Sequence, residues 1–356
     1  MNREFAASLR YESPIPAQVD ILERFSSALS QLVAPTQVTS IAVALSGGAD
    51  SLALTLMAQQ WCTKRDIILV ALTVDHRLRE GSTAEAAHVA QMMARHGIAH
   101  RILTPHHHPA GNNRMQAARQ WRYDALAEDC LNHGVQHCLL GHHRDDQLET
   151  AAMAHLRGTN QLDISRTPSD GEAGMRPLRT YRGVDFLRPL LAHSKTDLCA
   201  YLAARGEQWI EDPTNADARY ARTKVREMLR RDDDFRHTIE QLLSRGNTRR
   251  VANEAALAVA MPNCIRRTHD VTTLMLAPWK ALDEELRSLM LANLIREVGG
   301  KPHRPRREES LRLAEALLNE PCGKRTLGHC LIIWKNDEAS FRREVRVQKI
   351  TPPPSV

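Results

Sequence analysis

At 356 residues, 42% hydrophobic and 25% charged, the chain has the composition of an ordinary soluble protein large enough for two domains with buried cores. Its seven cysteines include no Cys-x-x-Cys pair, and the odd count argues against a disulfide framework, so reduced thiols and a cytoplasmic location are expected. With no apolar leader and no membrane-length run, neither secretion nor a membrane partner is expected, whereas a net charge of +6 and a pI near 9.0 favour a polyanionic partner.

Residues 1–37 read as a polar lead-in with one amphipathic stretch (Val19, Ile21, Leu22, Phe25, Leu29, Leu32) that stops before Pro35. The pattern then alternates. Apolar runs at 38–45, 67–74 and 137–140 read as buried strands, with a short strand resuming at Ile98. Helical spacing covers 51–61, 83–97, 115–131 and 145–156. This alternation predicts an α/β fold, a doubly wound, Rossmann-like parallel sheet with helices on both faces and ligands at the carboxyl ends of its strands. Residues 158–192 are loop-like with two short apolar pieces, and a helix opens at Ser194 and closes at Gly206.

From about Tyr220 the chain becomes charged and helical, with further helical spacing at 286–298 and 311–318 and one strand at 326–334. The expected division is a lead-in over 1–37, the α/β domain over 38–216, a mainly helical domain over 217–347 and a disordered tail over 348–356. Two basic knots stand out: Arg219, Arg222, Lys224, Arg226, Arg230 and Arg231, and then Lys301, Arg304, Arg306 and Arg307. Each competes with the plain reading of a solvated helix face.

Three strand ends carry candidate chemistry. After the first strand comes Ser46-Gly47-Gly48-Ala49-Asp50-Ser51. A glycine turn between strand and helix presents free backbone N–H groups and a positive helix end, and the two serines add hydroxyls, which together suit a phosphate. No lysine follows the glycines, so this is not the P-loop of the NTPases. After the second strand, Asp75 and His76 could hold a nucleoside, or simply end the strand in a polar turn. After the fourth, His142, Asp146 and Glu149 are spaced four and three apart, a helix-face spacing expected to point into the same crevice. Acids there could hold Mg²⁺, grip an ammonium or take a proton from an attacking amine. Zinc is disfavoured because no third ligand has suitable spacing, and His106-His107-His108 reads as a polar loop. Arg119 and Arg122 share a helix face that suits phosphate charge.

The loop resembles the pyrophosphate loop of the N-type ATP pyrophosphatases. Taken with Val74-Asp75-His76, Arg119/Arg122-Tyr123, the run from Gly141 to Thr150, Arg188-Pro189-Leu190-Leu191, Glu211-Asp212-Pro213-Thr214-Asn215 and Arg222 with Arg226, the chain resembles the tRNA(Ile)-lysidine synthetase family over about residues 38–230. The resemblance implies a PP-loop ATP pyrophosphatase domain followed by a helical tRNA-binding domain. It also implies ATP and Mg²⁺ as cofactors, and L-lysine and the CAU-anticodon isoleucine tRNA as partners. The implied reaction adenylates oxygen 2 of the wobble cytosine and then replaces AMP with the lysine ε-amine. On this likeness Ser46, Gly47, Gly48, Ala49, Asp50, Ser51, Asp75 and His76 bind ATP, and Asp50 meets the metal. Asp50 and His142 support ATP and metal geometry, Asp146 and Glu149 take lysine, and Arg122 and Arg222 stabilise charge.

Two stretches depart from the family pattern, at Thr159-Asn160-Gln161-Leu162-Asp163 and at Arg222-Thr223-Lys224. The chain also shows one C-terminal domain where longer members have another. The alternatives are a tRNA thiolase, which would call for a Cys-x-x-Cys pair or persulfide cysteine, and a non-catalytic RNA-binding protein on the same fold. The oligomeric state is open, a homodimer being one option.

Overall fold

In the computed structural model, which describes residues 21–33, 38–77, 81–104, 114–158, 165–211, 221–269, 271–301 and 303–343, the apolar runs of the N-terminal half become strands of one sheet. The start of the lead-in, His106-His107-His108, the 159–163 stretch, Asp212-Pro213-Thr214-Asn215, Ala216, Arg219 and the 348–356 tail lie outside the described residues.

A first compact unit, Met1–Arg250, contains α1 (Ile21–Leu32), β1 (Ser40–Ala44), α2 (Ala49–Thr63), β2 (Ile68–Val74), α3 (Ser82–Arg95), β3 (Ala99–Leu103), α4 (Arg114–Asn132), β4 (His137–Leu139), α5 (Arg144–Gly158), β5 (Leu178–Tyr181), β6 (Val184–Leu187), α6 (Lys195–Ala203), α7 (Ala221–Arg231) and the first part of α8 (Asp233–Cys264). The six strands lie in the order β3-β2-β1-β4-β6-β5. All neighbours are parallel except β5 and β6, which pair antiparallel. The two apolar pieces expected inside the 158–192 loop are this hairpin.

Burial on both faces explains why β1 reads as a continuous apolar run. Ile41 and Val43 pack with Phe25, Leu29, Leu52, Met57 and Trp61, while Ala42 faces Leu72, Leu126, Cys138 and Phe186 on the other side. Helix α2 is buried around most of its circumference, with contacts to α1, α6 and the sheet. The chain lays down β1, β2 and β3 in one direction and then crosses to the far side of β1 for β4. The reversal between β1 and β4 opens a crevice at their carboxyl ends.

The first unit continues past residue 216 through Arg250. The reason is packing: Leu148, Ala151 and Ala152 of α5 share a buried cluster with Val225 and Leu229 of α7 and Phe235, Ile239, Leu242 and Leu243 of α8.

The second unit, Val251–Val356, holds the rest of α8, then β7 (Ile265–Arg267), β8 (Thr272–Met275), α9 (Leu276–Lys280), α10 (Glu284–Gly299), α11 (Arg307–Asn319), β9 (Cys322–Leu327), β10 (Cys330–Lys335) and β11 (Glu338–Arg343). The expected helices at 286–298 and 311–318 are α10 and α11. The unit adds an antiparallel sheet in the order β7-β8-β11-β10-β9. The single strand expected at 326–334 is instead split into a hairpin, because Gly328 and His329 take positive φ (59° and 63°) and turn β9 back onto β10.

Candidate active site

At the end of β1 the ladder continues one residue, with Leu45 N donating to Leu72 O at 2.9 Å, before the chain turns at Gly47 (φ +85°). A Cβ at Gly47 would lie 2.8 Å from Ile210 Cδ1 and Val89 Cγ2, so only glycine fits both the angle and the space. Gly48 then starts α2 with no side-chain cap, and the first helical bond is Leu52 N to Gly48 O at 3.0 Å. The first N–H groups of α2, from Ala49 to Ser51, have no intrahelical carbonyl to bond and can meet an anion. Two hydroxyls brace the turn: Ser51 Oγ donates to Gly48 O (3.0 Å), accepts from Ser46 N (3.2 Å) and lies 3.1 Å from Ser46 Oγ. The Gly47 carbonyl accepts from Ile210 N (2.9 Å), which ties the loop to the segment after α6.

The end of β4 approaches just as closely. A Cβ at Gly141 would stand 3.2 Å from Ser51 Cα and N. Between these strand ends lies a cavity of about 860 Å³, a size common for small-molecule sites. Its apolar floor includes Leu72, Val74, Leu126 and Leu140, and the loop, Arg119, Arg122, Tyr123, His142, Lys195 and Glu211 also line it.

Neighbouring histidines take opposite protonation states. His142 is surrounded by burial and by the charges of Arg188, Arg119, Arg222 and His143, which hold its pKa well below 6.5. Its buried Nδ1 has no hydrogen-bond partner. His143 is buried too, yet burial is outweighed by carboxylates: Asp145 Oδ2 lies 3.3 Å from Nδ1, and Asp50 and Asp146 Oδ2 each lie 3.5 Å from Nε2. They raise its pKa to about 10, so it is an imidazolium at neutral pH. Asp145, in turn, is held at about 2 by His143, against its own burial, with the Lys195 amide also donating to it at 2.8 Å.

Asp50 Oδ2 faces both His143 and Lys195 Nζ (3.7 Å), and its Oδ1 is buried without a hydrogen-bond partner. Burial raises the Asp50 pKa, but the two cations more than offset this and leave it lowered. A carboxylate with one spare oxygen beside this loop has the chemistry to hold a hard divalent cation such as Mg²⁺. No group of three or more potential metal ligands occurs among the described residues.

The expected acid pair is placed differently. Asp146 and Glu149 do not line the cavity, because α7 brings two arginines onto them. Arg222 bridges both acids, with Nη2 at 2.8 Å from Asp146 Oδ1 and Nε at 2.5 Å from Glu149 Oε2, and Arg226 Nε meets Glu149 Oε1 at 2.7 Å. Glu149 is 2% exposed. Of the three residues expected on one face, His142 alone reaches the cavity.

Asp75 and His76 also stand outside its lining. Asp75 is buried and already accepts from Arg77 N (3.0 Å), Ser82 Oγ (2.7 Å) and Thr83 Oγ1 (2.8 Å), so it anchors the start of α3. His76 packs edge-on against Trp121 with ring centroids 5.1 Å apart and accepts from Arg122 Nε at 3.4 Å. Burial and the Arg122 charge, opposed by Asp75, lower its pKa to about 4, so it supports Arg122 as a neutral acceptor.

Sequence reasoning gave no role to His143, Lys195 or Arg188. His143 could have been found from the acids two and three residues on. Arg188 is 4% exposed and donates to Arg176 O (2.7 Å) and Tyr123 Oη (3.3 Å); the sequence marked it only as part of the Arg188-Pro189-Leu190-Leu191 motif, without a role. Lys195 is brought in by topology alone.

Residues 21–232 match the PP-loop domain family. The chain is 33% identical to the tRNA(Ile)-lysidine synthase of Hyphomonas neptunium, over 90% of this chain and 86% of that protein. It is 30% identical to the enzyme of the same name from Wolbachia pipientis wMel, over 87% and 72%. Among solved structures, the U34-tRNA thiolase NcsA from Methanococcus maripaludis aligns with a TM-score of 0.51 over 65% of this chain and 77% of its own, at 17% identity, which speaks to the fold. The chain belongs to the PP-loop family of ATP-utilising proteins and, within it, to the tRNA(Ile)-lysidine synthases.

Proposed function

We propose that this protein joins L-lysine to carbon 2 of the wobble cytidine in the CAU-anticodon isoleucine tRNA, using ATP and releasing AMP and pyrophosphate. The observation that carries the reading is the uncapped start of α2 opening into the cavity between β1 and β4, in a chain of this family. The α2 N–H groups would take the phosphates, and the apolar floor would take the nucleoside. Arg119 and Arg122 would bring positive charge to the incoming tRNA or the α-phosphate. His142 lines the cavity and carries a buried Nδ1 without a hydrogen-bond partner, which a substrate group reaching it would bond. Asp50 Oδ1 would hold Mg²⁺, which neutralises phosphate charge.

In the first step, oxygen 2 of the cytosine attacks the α-phosphorus, the bond to the bridging oxygen breaks, and pyrophosphate leaves with that electron pair. In the second, the lysine ε-nitrogen attacks carbon 2, the carbon–oxygen bond breaks, and AMP departs with the oxygen. The ammonium proton must be removed first. Asp146 and Glu149 suit binding of that ammonium, since they already hold cationic side chains, those of Arg222 and Arg226, and a carboxylate released from its guanidinium would take the proton. A lysine ammonium would displace one of these guanidiniums, and Arg222 would then be free to face the adenylate.

The test incubates the full chain with ATP, Mg²⁺, labelled lysine and the CAU-anticodon isoleucine tRNA transcript. Label at the wobble cytidine with AMP released is the expected result. AMP formed with tRNA while the label stays free would retain the adenylation and reject lysine as nucleophile. No AMP would reject the reading.

A further inference from the structure

We propose that a row of arginine and tyrosine side chains on α4 and the edge strand β5 seats the RNA backbone beside the wobble cytidine, outside the cavity. The proposal rests on reading the substrate as tRNA. Strand β5 pairs with β6 alone and so ends one side of the sheet. In the β5–β6 register Arg179 stands opposite Phe186 and Tyr181 opposite Val184, which sets both side chains on the α4 side. There the rings of Tyr123 and Tyr181 meet edge-on with centroids 6.2 Å apart. Three guanidiniums alternate with them: Arg119 lies over Tyr123 (5.8 Å), Arg179 over Tyr123 (5.1 Å) and Tyr181 (5.5 Å), and Arg182 over Tyr181 (5.8 Å). Arg119 and Tyr123 line the cavity, whereas Arg179, Tyr181 and Arg182 do not, so the row leads outward from its wall.

The charge on this row is only partly answered within the protein. Asp124 takes Arg182 (3.0 Å) and the Tyr181 hydroxyl (2.7 Å). Arg119 and Arg179 meet ring faces and, among the described residues, no carboxylate. The buried Arg188 feels the charges of both, and Arg122 feels that of Arg119, so like charges crowd at this wall. An anion laid along the row would relieve that repulsion. A ring face steadies the guanidinium plane and leaves its N–H fork to donate, which suits phosphate oxygens. Arg119 and Arg182 are exposed and Arg179 is half-buried, so a ligand can reach all three from solvent. Phosphates repeat along an RNA strand as the guanidiniums repeat along the row, whereas a single nucleotide in the cavity would use the inner end alone. A base turned into the cavity leaves its neighbours' phosphates outside, where Arg179 and Arg182 stand.

The test measures binding of the CAU-anticodon isoleucine tRNA transcript to the full chain across a salt series, for wild type, Arg179→Gln and Arg179→Lys. Calorimetry with Mg²⁺–ATP is run on the same three proteins. Arg179→Gln is expected to weaken tRNA binding by about threefold to tenfold at low salt and to reduce the log–log salt slope by about 0.7, as for one lost phosphate contact to a single strand. Arg179→Lys should keep the wild-type slope, and Mg²⁺–ATP should bind all three proteins alike. A slope unchanged in Arg179→Gln overturns the proposal and leaves Arg179 as a clamp between β5 and α4. So does a parallel loss of tRNA and ATP binding, the mark of a distorted cavity wall. If wild type does not bind the tRNA, the tRNA reading falls and this proposal with it, whereas lysidine formed with a tRNA affinity indifferent to Arg179 removes the proposal alone.

Discussion

His142 and His143 are adjacent in sequence and opposite in charge, and the cause lies in what each ring faces. Cations surround His142, and carboxylates surround His143. Because the folded pKa of His143, about 10, lies above its ordinary value of 6.5, its stabilisation is complete below pH 6.5 and is lost as pH rises through about 10. The melting temperature should therefore decline across that alkaline window. In His143→Gln the part of the slope due to this group should vanish, at the cost of a lower melting temperature near neutrality. An unchanged slope in the variant would show that the imidazole is not charged. Sequence spacing singled out His142 and passed over His143, because periodicity registers which face a residue shares and not the sign of the charge across the crevice.

At the scale of elements, the contact between α5 and α7 joins an apolar cluster to a buried ion-pair network. Leu148, Ala151 and Ala152 supply the first, and Asp146 and Glu149 with Arg222 and Arg226 the second. Replacing Glu149 with Gln keeps the volume but leaves two guanidiniums short of a carboxylate. Since both arginines keep solvent contact, at 38% and 51% exposure, the expected loss is roughly 1–3 kcal/mol, below that of a fully buried pair. Urea denaturation would measure it. The acids and the arginines were both legible as motifs. Their pairing was not, since 73 residues separate Glu149 from Arg222 and no local pattern records such a contact. Strands β1, β2 and β4 were legible because burial on two faces writes a continuous apolar run. Strand β10 alternates buried and exposed positions, and its turn is spelled Gly-His rather than Asn-Gly, so β9 and β10 merged into one expected strand.

Across the whole chain, the seven cysteines form a set of internal reporters. Cys62, Cys130, Cys138, Cys264 and Cys330 are buried, Cys322 is exposed in the second unit, and Cys199 is half-buried on the cavity wall of the first. A thiol reagent should thus label two positions in the native protein. Mg²⁺–ATP should slow the labelling of Cys199 and leave Cys322 unaffected, which peptide mapping would read directly. Equal rates at Cys199 with and without nucleotide would place ATP elsewhere. The α/β class and the strand–turn–helix setting of the Ser46–Ser51 loop were readable from strand–helix alternation, whereas the extent of the first unit depended on α7 and α8 packing back onto α5.

The register that sets Ala42 beside Cys138 and Val43 beside Leu139 also fixes a timetable. Loop and helix α2 are made early in synthesis, but the opposite wall of the cavity waits for β4, and its remaining pieces wait for Lys195 and Ile210. Closing contacts so distant along the chain is slow relative to forming neighbouring turns. A nascent chain still inside the ribosome short of Glu211 would carry the Ser46–Ser51 loop without the finished cavity beside it. Acquisition of ATP binding during translation would therefore mark completion of the cavity walls, before the first unit itself is complete at Arg250, and a product truncated short of Glu211 would be unable to consume ATP unproductively.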